Sequence, residues 1–189
     1  GAATLNGKIY AAGGFKASAH LNPVDQFLEY DPAANRWQTL PPLSGPRASV
    51  SLVAVGDTLH AIGGQVQAAG VPSPTTGFHE VFSLTTGMWK PAAPLPTPRS
   101  HMGAAVIDGK IHVIGGRQTG ASTASVTLHD VYDPSTNTWT MAAPLPEARS
   151  EGGVVFYRGR ILYYGGDCND PMAPAAFATN PAFFPNLPY

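Results

Sequence analysis

Charge is scarce in this sequence. Asp, Glu, Lys and Arg supply 12% of its 189 residues, about half the usual share for a globular domain. Acids and bases nearly cancel, leaving a net charge of −1. No basic run is present, so the electrostatic footprint of a nucleic-acid binder is missing. Cysteine is all but absent. Cys168 stands alone, which excludes an internal disulfide. An unpaired thiol suits a reducing compartment, while the low charge and the Ala, Pro and Gly bias suit export, so exported, periplasmic and cytoplasmic locations all stay open. No apolar stretch reaches the roughly 18 residues of a membrane-spanning helix, and no secretory leader pattern is visible. Helical periodicity is lacking too, since no amphipathic pattern runs for the ~10 residues a helix needs. A glycine-rich phosphate loop, which must lead into a helix, therefore has no place here.

Glycine and proline are abundant, at 21 and 19 residues. Scattered at random they would read as disorder, but they recur in register. The segment from Gly103 to Gly116 repeats Gly1 to Gly14 almost word for word. Glycine pairs begin at Gly13, Gly63, Gly115 and Gly165, tryptophans stand at Trp37, Trp89 and Trp139, and arginines at Arg47, Arg99 and Arg149. Every interval in these series is 50 or 52 residues. A period of this length marks a repeat architecture.

The third copy shows what one unit contains. Gly103 to Ile107 is small and apolar, Asp108-Gly109 is a strong hairpin signal, and Lys110 to Ile114 alternates with the period of a strand. Asn6-Gly7, Gly56-Asp57 and Arg158-Gly159 hold the same turn in the other copies. Gly115-Gly116 closes the second strand, where paired glycines permit positive φ and close backbone approach. A polar loop from Arg117 to about Thr127 leads to a third strand, Leu128 to Tyr132. Asp133 to Asn137 is a turn, and Thr138 to Met141 is a fourth strand carrying Trp139. Each unit is thus four short antiparallel strands. One such sheet cannot cover both of its faces, whereas sheets stacked face to face around an axis can.

Hairpin, glycine pair, Tyr-Asp-Pro turn, Trp, then Leu-Pro and Arg: in this combination residues 1 to about 167 resemble the kelch repeat. The resemblance implies an all-β kelch-type β-propeller with the first strand of each blade lining a central channel. Three full four-stranded blades are expected at about residues 1–46, 47–98 and 99–148, with a partial or degenerate fourth over 149–167, as part of a larger ring. Blade two departs from the pattern. Phe82-Ser83-Leu84 replaces Tyr-Asp-Pro and Gly87 replaces Asn35 and Asn137, so an altered turn is expected there. The Pro- and Phe-rich tail, 168–189, has two readings: a worn half-blade with strands at Ala175 to Thr179 and Ala182 to Leu187, or an irregular docking arm. A ring needs about 4 to 8 blades, so the chain is expected to be a segment of a longer protein, to complete a ring with itself or a partner, or to close as a tight four-bladed ring. It opens on the glycine that begins a first strand, with no Arg-Ser before it, which favours the first of these.

By the same resemblance Arg47, Arg99 and Arg149 lie near the channel mouth. In some kelch substrate adaptors such arginines, with the following Ser, bind acidic peptides, and guanidinium forks suit carboxylates. Arg99-Ser100 and Arg149-Ser150 match that pairing, Arg47-Ala48 matches only in the Arg, and His101 and Glu151 follow on the same rim. The competing reading is structural, with the arginine tying adjacent blades together through backbone carbonyls. His60 and His112, one per repeat, are expected to be packed strand residues rather than zinc ligands. The tryptophans are expected between blades, with sugar stacking as the alternative. Tyr163, Tyr164 and Cys168 raise the copper chemistry of some kelch-like oxidases, but no residue matches such a motif one by one. No catalytic group, metal or cofactor is expected. The leading expectation is a non-catalytic binding or scaffolding module for a protein partner, perhaps one presenting an acidic segment. The alternatives are a carbohydrate-active or redox enzyme (oxidase, epimerase or lyase) built on the same blades, and a structural subunit docking through its tail.

Overall fold

The computed structural model describes residues 1–17, 21–67, 74–119, 124–167 and 182–183. The first sheet takes β1 (Ala2–Leu5), β2 (Lys8–Ala12), β5 (Phe27–Asp31) and β6 (Arg36–Leu40) in that spatial order, while β3 (Phe15–Ala17) and β4 (Leu21–Pro23) pair as a small separate hairpin. The second runs β7 (Ser51–Val55), β8 (Thr58–Ile62), β9 (His79–Ser83) and β10 (Met88–Pro91). The third runs β11 (Gly103–Ile107), β12 (Lys110–Ile114), β13 (His129–Asp133) and β14 (Thr138–Met141). The fourth has β15 (Gly153–Tyr157), β16 (Arg160–Tyr164) and β17 (Ala182–Phe183). All pairings are antiparallel, and the described residues contain no α-helix. The all-β blades expected from the sequence are what the chain forms.

Local chemistry explains each turn. The hairpin turns open on Asn6, Gly56, Asp108 and Arg158, all with φ between 49° and 55°, the twist that suits a two-residue hairpin. Asp31 Oδ1 accepts from the amides of Ala33 and Ala34 at 2.9 and 3.1 Å, and Asp133 Oδ1 from Ser135 N at 2.9 Å. Tyr30 and Tyr132 each donate their hydroxyl to an Asn Oδ1, on Asn35 and Asn137, at 2.8 Å. The second sheet loses both members of that last bond together, as Phe82 and Gly87. Its turn survives because Gly87 takes φ 65° and Ser83 Oγ accepts from Thr86 N at 3.3 Å.

The sheets stack through their apolar faces. Tyr10 and Phe27 meet Leu52, Leu59, Ala61 and Phe82 across the first seam. Ile62 meets Ile111, Val113 and Tyr132 across the second. Ile107 and Ile114 meet Ile161 and Tyr163 across the third. Trp89 and Trp139 lie in the first and second seams, as expected. Trp89 Nε1 donates to Pro41 O at 2.9 Å, and Trp139 Nε1 to Ala93 O at 2.8 Å. Trp37 differs. It is 54% exposed, because no described residue stacks on the face it shares with Ile9 and Tyr30. The tail also differs from the strand order read from sequence. β17 pairs directly with β16, Phe183 opposite Leu162, so Ala182 and Phe183 stand third in the sheet rather than fourth. The expected strand at Ala175 to Thr179 and the Cys168 thiol lie outside the described residues.

The glycine pairs and the arginines recur together for one physical reason. Gly14, Gly64 and Gly116 donate their amides to the carbonyls of Arg47, Arg99 and Arg149 in the following repeat, at 3.0, 3.0 and 2.8 Å. A Cβ on Gly13, Gly63 or Gly115 would lie 2.2, 2.6 or 2.5 Å from those same carbonyl oxygens, so no side chain fits. The first strands of the four sheets, β1, β7, β11 and β15, pack in succession, and a cavity of about 230 Å³ lies along them.

Candidate functional site

Each arginine that leads into an inner strand is held from its side chain as well as its carbonyl. Arg47 Nη1 donates to Gly63 O and Phe78 O, both at 3.0 Å, and Nη2 bonds the Glu80 carboxylate. Arg99 donates to Gly115 O, Thr97 O and Val113 O at 2.9, 3.1 and 3.3 Å. Its Nη2 lies 2.7 Å from Asp130 Oδ2, an ion contact rather than an aligned hydrogen bond. Arg149 reaches Gly165 O at 3.4 Å and Glu147 Oε2 at 2.9 Å. Arg47 and Arg99 are buried, and that burial pulls both guanidiniums below their usual range while Glu80 and Asp130 pull them back. Each arginine is therefore a two-ended clamp, with its carbonyl on the preceding sheet and its guanidinium on its own.

Above the clamps runs a polar rim. Ser49, His101 and Glu151 stand two residues after Arg47, Arg99 and Arg149, at the heads of the inner strands. All three are non-glycine residues at positive φ, 52°, 57° and 64°. Such strain persists only where the surroundings enforce it, and it concentrates at working surfaces. The backbone steps from sheet to sheet along them: His101 N donates to Ser49 O at 3.2 Å and Glu151 N to His101 O at 2.9 Å. Ser100 Oγ lies 2.8 Å from His101 Nδ1, and Ser125 Oγ lies 3.0 Å from Ser150 Oγ. Arg117 joins the set. Its Nε donates to His101 Nδ1 at 3.2 Å, and Nη2 bonds Glu151, whose side chain is 41% exposed.

This rim imitates a hydrolytic triad without being wired as one. Ser49 Oγ is 2.8 Å from His101 Nε2, and Glu151 Oε1 is near that same nitrogen, at 3.5 Å. A general base must offer the serine an unprotonated nitrogen while the acid holds the opposite one. Here Arg117, which can only donate, occupies Nδ1. With Arg117 and Ser100 both donating to Nδ1, a neutral ring carries its proton on Nε2, facing Ser49, and cannot accept the hydroxyl proton. What the rim offers instead is a fixed pattern of hydrogen-bonding groups around one partly exposed ion pair.

Of the residues singled out from sequence, Ser100, His101 and Glu151 come together here, and Ser150 lies beside them. Arg47, Arg99 and Arg149 stand beneath, with their guanidiniums engaged as described. Sequence reasoning missed Arg117, Ser49 and Ser125, and it missed the acids that answer the arginines. A signal for the acids existed: His79-Glu80 and His129-Asp130 each place an acid directly after a histidine, in register. Arg117 directly follows its glycine pair, where the other copies place Phe15, Gln65 and Asp167, so only its departure from the repeat marked it. Among the described residues no group of three or more His, Cys, Asp or Glu side chains could hold a metal ion.

Comparison with known proteins bears on this geometry. Residues 1–180 match the family described as the KLHDC2/KLHL20/DRC7 Kelch-repeats domain. Kelch-like protein 33 of Homo sapiens is 33% identical over 117 residues, covering 61% of this chain and 21% of the relative. Kelch-like ECH-associated protein 1A of Danio rerio is 31% identical over 108 residues, covering 57% and 17%. The chain thus spans about a fifth of the length of these curated relatives. A solved structure titled "Structure of YjhT" superposes with a TM-score of 0.73 at 18% identity, over 87% of this chain and 57% of that one, which is a likeness of fold.

Proposed function

The chain belongs to the kelch-repeat family, and from that premise we propose that it is a non-catalytic protein-binding module whose contact surface is the rim around Arg117, His101 and Glu151. The observation that carries the reading is the row of strained residues Ser49, His101 and Glu151, one per sheet, held in place by the arginine clamps. A rigid frame presenting preset polar groups at a channel mouth loses little entropy on binding. The name of one relative, Kelch-like ECH-associated protein 1A, describes that protein as ECH-associated. Arg117 is the cation placed to receive an acidic side chain of the partner, in exchange for Glu151. The blades divide at about residues 46, 98 and 148, and the module acts as one unit.

Selection of a random peptide library on the immobilised chain tests this. Recovered peptides should share an acidic residue and bind the Arg117→Ala variant about tenfold more weakly, the worth of one charge-assisted hydrogen bond. Peptides that bind the Arg117→Ala and Glu151→Ala variants as well as the parent would remove the rim from the proposal.

A further inference from the structure

At the second seam one exposed hydroxyl reaches both sides. Thr75 Oγ1 lies 3.2 Å from Pro98 O and 2.9 Å from Gln118 O, and so stitches the connection before Arg99 to the loop of the third sheet. In the first seam the repeat register puts Pro23 where Thr75 stands, and Pro46 and Val66 where Pro98 and Gln118 stand. Proline has no hydrogen to donate. Among the described residues none donates to Pro46 O or Val66 O. In place of the stitch there is a cavity of about 500 Å³, and Pro23, Pro46, Val66 and Phe78 are among its lining residues.

The lining indicates what would fill that cavity. The Arg47 guanidinium lies 5.2 Å from the centroid of Phe78 and covers one side of that ring, yet Phe78 remains 38% exposed. The equivalents of Phe78 in the first and third sheets, Gln26 and Leu128, are not aromatic, so the ring is peculiar to this seam. The charge of Arg47 is spent on buried Glu80, and among the described residues no other charged side chain lines the cavity. A charged ligand would lose its hydration there without gaining a counter-charge. Two proline rings and a phenyl ring give the lining flat apolar surfaces that suit a planar ring, beside the polar groups of Ser44, Gln67 and Thr76. The vacant stitch suits a single hydroxyl donor.

We propose that the first seam is a binding site for a neutral aromatic ring bearing a hydroxyl, met either as a tyrosine side chain of a polypeptide or as a free phenol. The ring lies against Phe78 and Pro23, and its hydroxyl takes the place that Thr75 Oγ1 holds one seam further on. This site is separate from the rim and stands without the reading given for it.

The test is a titration of the isotope-labelled chain with N-acetyltyrosinamide, p-cresol and N-acetylphenylalaninamide, followed by amide chemical shifts. The hydroxylated probes should give saturable shifts confined to the amides near Ser44, Val66 and Phe78, about tenfold tighter than the phenylalanine derivative, which lacks the donor. Binding by tyrosinamide alone assigns a polypeptide source, and binding by p-cresol alone assigns a free phenol. Two variants borrow residues from the neighbouring repeats. Pro23→Thr should restore the stitch and Phe78→Leu should remove the aromatic wall, and each should weaken the hydroxylated probes while leaving shifts elsewhere unchanged. Should Pro23→Thr lose its fold, Phe78→Leu decides. No saturable shift at the seam, equal binding of the phenylalanine derivative, or undiminished binding by the folded variants would overturn the proposal.

Discussion

His60 Nδ1 lies 2.9 Å from His79 Nε2, deep in the seam between the second and third sheets, and the direction of that bond is fixed. His79 Nδ1 is 3.1 Å from Ala93 O, a carbonyl that can only accept. The His79 proton is therefore on Nδ1, its Nε2 accepts, and His60 donates from Nδ1. The third sheet repeats the device with His112 and His129, 2.9 Å apart, and Ala143 O. In the first sheet the same positions hold Tyr10 and Phe27, stacked at 6.0 Å. Burial, foremost, and the neighbouring imidazole lower His60 to about 3, and burial lowers His79 and His112 to about 4.

Stability should therefore fall on mild acidification. The four histidines stay neutral in the fold and take up protons once unfolded, near the ordinary value of about 6.5. The unfolded state then binds more protons, so stability is full above that value and declines as pH drops towards 4, by up to about 1.4 kcal/mol per pH unit for each histidine. Denaturant titrations between pH 7.5 and 4.5 read this slope. Replacing one pair by the first sheet's solution, His60→Tyr with His79→Phe, should remove about half of it. An unchanged slope would mean the histidines are not the source.

The buried ion pairs give a second expectation. Asp130→Ala leaves Arg99 charged and without its carboxylate, which should cost about 3–5 kcal/mol of unfolding free energy. Adding Arg99→Met should not restore stability, because three carbonyls then lose their donor at about 1–3 kcal/mol each. A double variant as stable as the parent would contradict this.

Exposure separates the tryptophans. Trp139 packs against Tyr132 and His79 and donates to Ala93 O, so Trp139→Ala should cost about 3 kcal/mol or more. Trp37→Ala, at an exposed site, should cost under about 1 kcal/mol in this chain. Urea midpoints at equal m-value compare the two. The setting between blades expected from sequence for all three fails at Trp37 because a repeat motif records the contact each residue makes in a series of sheets, not which member of the series has a neighbour.

The glycines separate by what surrounds them. Gly115→Ala adds a Cβ 2.5 Å from Arg149 O at φ 63°, whereas Gly109→Ala enters open space at φ 74°. The hairpin change should cost about 1–2 kcal/mol of backbone strain alone, and the seam change clearly more, as read by thermal unfolding. Equal costs would count against the clamp between glycine and arginine.

Much of the fold was legible because its determinants are local and repeated. Asn6-Gly7 and Asp108-Gly109 specify hairpins by themselves, and Gly115 and Arg149 recur together because each seam needs both. The rim was legible only in part. Ser100, His101 and Glu151 sit at fixed steps from a repeating arginine, so register finds them. Arg117 belongs to a loop that differs in every copy, and its tie to His101 exists only once two sheets are stacked. The acids Glu80 and Asp130 are distant in sequence from the arginines they answer, and their role appears only when a strand pairing brings them under the same rim.

The rim's character turns on one proton. With Arg117 donating to Nδ1 of His101, a long-range nitrogen–proton correlation spectrum of the isotope-labelled chain near pH 7.5 should show the neutral ring protonated on Nε2 and bare on Nδ1. In Arg117→Ala that preference should relax. A ring found protonated on Nδ1, with Nε2 free to take the proton of Ser49, would contradict the reading of this surface as one that binds rather than reacts.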